Sequence, residues 1–457
     1  MFATEFAARQ GGDFNWDRSG EGRTHLRGGE QAPGRNWPIA IKQKRIPAGS
    51  EHCLPVQWGI RRYFVFKMAV VMMRNSPAWL ILIVLMTAAA TAALHAADAN
   101  HTFLTGADVS YFGYIESHGG VYRYNHRPGG LIQAIKRSGC NCLRLRLWHQ
   151  ATALEKSQLG KLRTLNNLAY TLPLAQKIKE AGFYFILDMH FSYTWAGPHH
   201  QFTPDAWRKL PLPQLRLRLR AYCQRVITTL RKAHAMPNMV MVGNEINNGM
   251  LWPQGKLWVN HKARWNRLSS LLNAAIAGVD AASGSHKPKI MIQLAGASYT
   301  YGSSYPREFY QQLIAHGVHF DVIGYDFYAY PRPYGTLKHL QSQLINLADS
   351  VHKPIIVSET DYPWINDAHS AHGKFRPGMP FPFTPAGQAQ YTHAVINIVK
   401  ALPEHLGQGV WWWGAEYNMD QQDFTHKPFS YRSLFDRHGN ALPAMRVLGA
   451  AASQIGK

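Results

Sequence analysis

The chain is poor in acidic residues and lacks the motifs of proteins that bind nucleic acids. Its 27 Asp and Glu residues stand against 49 Lys and Arg residues, which gives a formal net charge of +22. A charge of this size suits a polyanion, but no dense Lys/Arg block is present. The alternation of Arg216, Arg218 and Arg220 with Leu is typical of the solvated face of a starting helix. We therefore predict no nucleic-acid partner, while a polyanionic polysaccharide such as pectin stays compatible with the charge.

Cysteine is also scarce, and its spacing excludes a zinc site built on paired C-x-x-C motifs. The four cysteines are Cys53, Cys140, Cys142 and Cys223. Cys140 and Cys142 lie too close along an apparent strand to bridge without strain, so we predict buried structural thiols. The sequence also lacks the glycine-rich first turn of a dinucleotide-binding domain.

A signal-like apolar run (AWLILIVLM, 78–86) follows Arg74 and leads to small residues ending at Ala97. It is short for a membrane span of about 20 residues, although an uncleaved anchor is the alternative. Because a signal peptide belongs at a chain start, we predict that residues 1–67 are a non-native or disordered extension and 68–97 the signal peptide. Residues 98–457 would then form one catalytic domain, secreted or periplasmic, monomeric and without stable membrane insertion.

Eight short apolar runs after residue 98 alternate with amphipathic stretches, a pattern that predicts parallel strands joined by helices. The predicted strands are 103–109, 142–148, 183–189, 239–244, 289–294, 320–325, 354–359 and 408–413. The predicted helices include 131–137, 172–179, 215–232, 264–279, 337–347 and 390–401. Near-continuous apolar strands are typical of a sheet covered on both faces, and eight units favour an α/β protein with a closed (β/α)₈ TIM barrel. Its active site should lie where the strands end.

Polar residues do cluster at the predicted strand ends, and two of them are glutamates. Glu245 follows the fourth strand and Glu359 ends the seventh. Two carboxyl groups facing each other suit acetal hydrolysis, because one must be neutral to protonate the leaving oxygen and the other ionised to attack the sugar. Their proximity raises one pKa. We predict that Glu245 and Glu359 are catalytic.

Other residues near the strand ends are candidates for substrate contacts. Asn244 is expected to bind a sugar hydroxyl, and Arg146, nearer the strand end than Arg144, is expected to hydrogen-bond the nucleophile, with a structural ion pair as the alternative. Trp413 offers a flat apolar face for a sugar ring. The full predicted substrate-binding set is Asp108, Arg146, His190, Asn244, Tyr328, Trp364 and Trp413.

Several longer strings resemble glycoside hydrolase family 53, the arabinogalactan endo-β-1,4-galactanases of clan A. They include LRLRLW (143–148), DMHFSYTWAGP (188–198), VGNEINNGMLWPQG (242–255) and SETDYPW (358–364). The resemblance implies that Glu245 is the acid/base, that Glu359 is the nucleophile and that Asn244, Arg146, His190 and Trp413 line the cleavage site. It also implies β-1,4-galactan as substrate and net retention, with roughly 5–5.5 Å between the carboxyl groups rather than 6.5–9.5 Å.

The chain departs from the family in the loops expected to form the substrate cleft. The segment GYDFYAYPRPYGTL (324–337) is two residues longer than its family counterpart, and Asp326 stands where the family has a small polar residue. Gln293 replaces a frequent His, and WGAEY (413–417) differs from the family pattern. No cofactor is expected to be required. The stretch 366–373 does not clearly reproduce the calcium ligands of some bacterial members, so calcium stays open.

These departures keep two alternatives open. One is a clan A hydrolase that cleaves another β-linked glycan, and the other is a barrel that binds glycans without cleaving them. Negligible action on galactan would favour the first, and unchanged turnover after Glu359→Gln would contradict the proposed chemistry.

Overall fold

The computed structural model describes residues 103–149, 151–152, 165–296, 302–330, 335–366, 374–417 and 427–452. Eight parallel strands form a closed barrel in which each strand pairs with its neighbours in sequence, and the first pairs with the last. The barrel strands are β1 (Leu104–Asp108), β2 (Cys142–Leu147), β3 (Tyr184–Met189), β4 (Met239–Val242), β5 (Lys289–Ala295), β6 (Val322–Asp326), β7 (Ile355–Thr360) and β8 (Gly407–Trp412).

Helices follow the barrel strands and cover the outside of the sheet. The longer helices are α1 (Leu131–Ser138), α2 (Leu168–Glu180), α3 (Leu212–Lys232), α4 (Trp265–Ser283), α5 (Tyr305–Ala315), α6 (Leu337–Val351), α7 (Pro385–Lys400) and α8 (Pro443–Ala451). Short helices span Phe112–Ser117 and Asp205–Arg208, with 3-10 turns at Ile246–Asn248, Pro403–His405 and Lys427–Arg432. Small antiparallel pairs join Tyr122–Tyr124 to Arg127–Gly129, Gly249–Met250 to Gly255–Lys256, and Trp258–Val259 to Lys262–Ala263.

Two apolar cores result from the two faces of the barrel strands. The larger core packs the outward side chains of the strands against the helices. The smaller core contains one or two residues from every strand, namely Leu104, Cys142, Ile186, Met239, Met241, Met291, Val322, Ile356 and Trp411. Because strand side chains alternate with a two-residue period, the next residues on this inner face are polar on several strands: Arg144, Asp188, Gln293 and Ser358. The apolar layer therefore forms the floor beneath a polar layer.

The predicted (β/α)₈ barrel is confirmed, and every predicted strand lies within two residues of an observed one at each end. The six predicted helices are also present, with bounds that shift by up to five residues. The helices Tyr305–Ala315 and Pro443–Ala451 were not among them. Arg216, Arg218 and Arg220 lie on the exposed face of α3 as expected.

The three described cysteines, Cys140, Cys142 and Cys223, are free and buried, as predicted. Within the described ranges, none of the helices is long and apolar enough to span a membrane. Cys53, the extension 1–67 and the signal peptide 68–97 lie outside the described residues, so these predictions stay predictions.

Candidate active site

A network of buried charges lies above the apolar floor, centred on Arg144 of β2. The Nε of Arg144 donates to Asp108 Oδ2 at 2.8 Å, and its Nη2 donates to Glu359 Oε1 at 2.6 Å. A third carboxylate, Asp188, lies 3.9 Å from its Nη1. Arg144 is only 1% exposed. Burial of charges is unfavourable unless they are paired, so this guanidinium is the cation that allows several carboxylates to share the barrel interior.

Glu245 follows β4 in an unusual backbone conformation. Its φ is +46°, in the left-handed region, a conformation that costs a residue other than glycine about 1–3 kcal/mol and often occurs at functional sites. The Nε2 of Gln201 donates to the carbonyl oxygens of Asn244 and Glu245, at 2.8 and 3.3 Å. At Gly197 a Cβ atom would lie 3.2 Å from Glu245 Oε2. The surrounding loops therefore hold Glu245 closely at the barrel mouth.

Glu359 lies on β7, where three side chains donate hydrogen bonds to it. Besides Arg144, the hydroxyl of Tyr328 donates to Oε2 at 2.7 Å, and Gln293 Nε2 donates to Oε1 at 3.3 Å. Glu359 is 6% exposed, whereas Glu245 is half-buried. Both carboxyl oxygens of Glu359 therefore accept hydrogen bonds, which fix the orientation of the side chain.

Three carboxyl groups meet at this point: one oxygen each of Glu245, Asp326 and Glu359 lies within 4.8 Å of the others. Burial, followed by the negative charge of Glu359, raises the pKa of Glu245 well above its usual value. Burial also raises the pKa of Asp326, and Glu359 and Glu245 add to the effect. Glu245 is thus poised to hold a proton beside a carboxylate that accepts three hydrogen bonds, the division that acid and nucleophile require.

Comparison with known proteins agrees with this geometry. Residues 104–448 match the model of glycosyl hydrolase family 53. An arabinogalactan endo-β-1,4-galactanase from Cellvibrio japonicus is 31% identical over 78% of this chain and 94% of its own. A probable arabinogalactan endo-β-1,4-galactanase A from Aspergillus fumigatus is 32% identical over 67% of this chain and 82% of its own.

Among solved structures, the catalytic domain of an Ignisphaera aggregans family 53 protein has a TM-score of 0.67 and 29% identity, covering 76% of this chain and 95% of its own. A fungal β-1,4-galactanase has a TM-score of 0.65 and 28% identity, over 76% of this chain and 98% of its own. The chain belongs to glycosyl hydrolase family 53. It is therefore a glycoside hydrolase.

In this family 53 chain, Arg144 and not Arg146 contacts the expected nucleophile, so that part of the sequence analysis was wrong. Arg146 Nη2 lies 3.4 Å from Asp108 Oδ1. Its guanidinium lies 4.2 Å from the ring centre of Trp195 and 5.7 Å from that of Trp413. Asp108 also accepts hydrogen bonds from Ser110. Arg146 and Asp108 are each 1% exposed, and their part in substrate binding stays a prediction.

His190 and Asn244 both contact the loop after β3. The backbone N–H of Ala196 donates to His190 Nδ1 at 3.1 Å, which leaves the proton of a neutral imidazole on Nε2, 3.2 Å from Asp188 Oδ2. The Nδ2 of Asn244 donates to the carbonyl of Ala196 at 2.8 Å. Asn244 Oδ1 is buried and has no hydrogen-bond partner among the described residues, and its part in binding a sugar hydroxyl stays a prediction.

The predicted aromatic residues Tyr328, Trp364 and Trp413 follow β6, β7 and β8, respectively. Trp413 packs against Trp195 and Arg432. The indole N–H of half-buried Trp364 donates to the carbonyl of Ser430 at 3.1 Å, which fixes its ring. Tyr328, predicted to bind substrate, contacts Glu359 directly and also lines a cleft with Lys374, Arg376 and Arg432.

Five buried residues at or beside the site were not assigned a role from the sequence. Arg144 and Gln293 were named without a role, Asp326 was named only as a departure from the family, and Asp188 occurred only as the first residue of the string 188–198. Glu416 was missed: it is fully buried, and burial with the nearby Asp108 raises its pKa to about 8. The sequence does contain a pattern that could have identified three of these residues. Arg144, Asp188 and Gln293 each come two positions after a residue of the apolar floor, and therefore lie on the same inner face.

Among the described residues, the trio Glu245, Asp326 and Glu359 is the one group of potential ligands close enough to share a metal ion. This trio contains both glutamates that were predicted to be catalytic. The calcium stretch considered in the sequence lies outside the described residues apart from its first residue, Asn366.

Proposed function

We propose that this family 53 hydrolase cleaves β-1,4-galactan within the chain and with net retention, using Glu359 as the nucleophile and Glu245 as the acid/base. The observation that carries the proposal is the pair of carboxyl groups, whose nearest oxygens lie within 4.8 Å but whose surroundings differ. Retaining enzymes have carboxyl groups about 5–5.5 Å apart, whereas inverting enzymes need about 6.5–9.5 Å to admit a water molecule between them.

In the first half of the reaction, Glu359 attacks the anomeric carbon while Glu245 gives its proton to the departing glycosidic oxygen. Arg144 and Tyr328 hold Glu359 by one oxygen each, so the side chain is oriented before the substrate arrives. The product is a glycosyl ester on Glu359 and a carboxylate on Glu245. Positive charge develops on the sugar ring, and the buried carboxylates stabilise it.

In the second half, the Glu245 carboxylate takes a proton from water while the water oxygen attacks the anomeric carbon. The bond to Glu359 breaks, and both residues return to their starting states. Formation of the ester removes the negative charge of Glu359, which is a cause of the raised pKa of Glu245. The pKa of Glu245 therefore falls when the residue must act as a base, and no further proton donor is needed.

The substrate is proposed from the relatives, since two of those matched are named arabinogalactan endo-β-1,4-galactanases. We expect reducing ends to be released from unsubstituted β-1,4-galactan, with the first products in the β configuration when followed by proton NMR. Soluble galactan should lose viscosity early, as chain-internal cleavage requires. Glucan, mannan and xylan, at equal mass concentration, are the comparison substrates.

A second candidate substrate class is another β-linked glycan. The observation in its favour is the loop after β6, where Asp326 and the longer segment before residue 337 differ from the family pattern. Faster release from glucan or mannan than from galactan would reject galactan as the main substrate. Products in the α configuration would reject net retention on any substrate.

We further propose that the protein is exported by the apolar segment before residue 98. N-terminal sequencing of the protein recovered outside the cytoplasm of its own host should begin close to Asp98. Recovery of peptides from residues 1–67 in that protein would contradict both the export signal and the proposed later start of translation.

A further inference from the structure

Asp326 is a third carboxyl group at the site, and the proposed mechanism, which uses Glu245 and Glu359, assigns it no role. It ends β6 and is 1% exposed. Ser358 Oγ donates to Oδ1 at 2.7 Å, and Gln293 Nε2 lies 2.9 Å from Oδ1 and 2.7 Å from Oδ2. Asp326 is thus enclosed by its neighbours, and we expect it to act through them.

The charges around Asp326 are predominantly negative. Glu245 and Glu359 both lie close to it. Within the described residues, no Lys or Arg nitrogen forms an ion pair with Asp326. Arg144 acts on it only at longer range and is already bonded to Asp108 and Glu359. The titratable groups that act on Asp326 or its partner Glu245 are Arg144, Asp188, Glu245, Tyr310, Tyr328 and Glu359.

This environment favours a neutral acid at Asp326. Burial and the two glutamates raise its pKa well above the usual value of an aspartate. A neutral carboxyl group has one O–H donor in addition to its acceptor sites. Ser358 and Gln293 already donate to Asp326, so its own proton is free to be donated elsewhere. One carboxyl oxygen of Asp326 lies within 4.8 Å of an oxygen of Glu245. A proton donated from Asp326 to Glu245 would stabilise the Glu245 carboxylate and lower its pKa, and Asp326 does act on the pKa of Glu245 in this direction.

Building on the proposed function, we propose that Asp326 is a positioning residue that keeps its proton throughout the reaction and donates it in a hydrogen bond to Glu245. This bond orients the half-buried acid/base toward the glycosidic oxygen. It also stabilises the Glu245 carboxylate that forms when the leaving group takes the proton. The proton count balances, because Asp326 remains protonated while Glu245 loses one proton in the first step and regains one from water in the second.

Two substitutions separate a neutral donor from a negative charge. Asp326→Asn keeps the shape and an N–H donor but cannot ionise, whereas Asp326→Ala removes the donor. On the best substrate of the wild type, we expect Asp326→Ala to lower kcat by about 10- to 100-fold, the scale of a lost hydrogen bond to a charged group. KM should change little. The basic limb of the kcat/KM profile should move to higher pH, because the Glu245 carboxylate loses a donor.

Asp326→Asn should instead keep kcat within a few-fold of the wild type and leave the basic limb in place. Asp349→Asn, an exposed position on α6, is the matched control and should be indistinguishable from the wild type. The proposal is overturned if Asp326→Asn is as impaired as Asp326→Ala, since a negative charge would then be required. Wild-type kinetics and pH profile in Asp326→Ala would overturn it as well.

A spectroscopic measurement tests the protonation state without relying on catalysis. The infrared difference spectrum between the wild type and Asp326→Asn at neutral pH should contain the carbonyl band of a protonated carboxyl group. Absence of this band would reject the neutral donor even in an enzyme active on galactan. Conversely, the band would be present in a protein without galactanase activity, so failure of the proposed function and failure of this inference are distinguishable.

Discussion

Replacing Glu359 by Gln is expected to lower kcat on galactan by about 10⁶-fold, the scale on which removal of a nucleophile acts. An amide cannot form the glycosyl ester, although its shape is nearly that of the carboxylate. Arg144 can still donate to the amide oxygen, and Tyr328 can accept from the amide nitrogen in place of donating to Oε2. The variant should therefore fold, and reducing-sugar release in the variant is the measurement.

The exposed Glu308 on α5 supplies the matched control. Glu308→Gln makes the same chemical change far from the carboxyl group cluster and should retain wild-type kcat. Circular dichroism should show that both variants are folded. A loss of activity in Glu359→Gln alone would then be due to the change at Glu359. Activity of Glu359→Gln within ten-fold of the wild type would contradict its role as nucleophile.

External azide distinguishes the two glutamates from each other. In Glu359→Gly, azide can enter the vacated space and attack an activated β-galactoside directly, which gives an α-configured glycosyl azide. In Glu245→Ala, Glu359 still forms the ester, and azide then displaces it to give the β-configured product. The opposite pattern of configurations would show that the two roles are exchanged.

The barrel and its two glutamates could be predicted because each depends on a local pattern. Each strand is a short apolar run, and Glu245 and Glu359 come at the ends of two of them. The carboxyl ends of parallel barrel strands meet on one face, so proximity of the glutamates followed from topology. Helix α8 was not predicted from the sequence. It is nine residues long and rich in small residues, so its hydrophobic periodicity is weak.

The partner of Glu359 could not be predicted, because a two-residue period places Arg144 and Arg146 on the same face without giving their height. In the barrel, Arg144 pairs in register with Asp108 and Ile186, and Arg146 pairs with Asp188. The long side chain of Arg144 reaches across the barrel to β7, while that of Arg146 lies among Trp195, Tyr111 and Trp413. Side-chain direction of this kind depends on the stagger of the closed sheet.

The position of Asp326 near the two glutamates could not be predicted for a related reason. The register between β6 and β7 shifts at this point: Tyr325 pairs with Val357, but Asp326 pairs with Glu359. An irregularity of this kind changes where the following side chain points. The sequence shows that Asp326 is unusual for the family, but its proximity to both glutamates depends on the register of the closed sheet.

Arg144→Met is expected to lower the free energy of unfolding at neutral pH by about 3–5 kcal/mol, the usual cost of removing one partner from a buried ion pair. Methionine fills part of the volume but leaves Asp108 and Glu359 without the donor that lies 2.8 and 2.6 Å from them. Urea unfolding measures the change. Arg216→Met, at an exposed position on α3, makes the same substitution where no buried charge depends on it and should have little effect.

The loss of stability caused by Arg144→Met should be smaller in acid, because the pKa of Asp108 is lowered in the folded protein. Burial alone would raise the pKa of Asp108, but Arg146, Arg144 and Ser110 together bring it below its usual value. A carboxyl group with a lowered pKa in the folded state stabilises the protein above its unfolded pKa, and this stabilisation is lost as the pH falls through the folded pKa. Arg144→Met removes part of a contribution that is complete above the unfolded pKa of Asp108 and is lost in acid. An equal loss of stability at neutral and acidic pH would trace the defect to packing, and the carboxylates would then not depend on Arg144 for their charge.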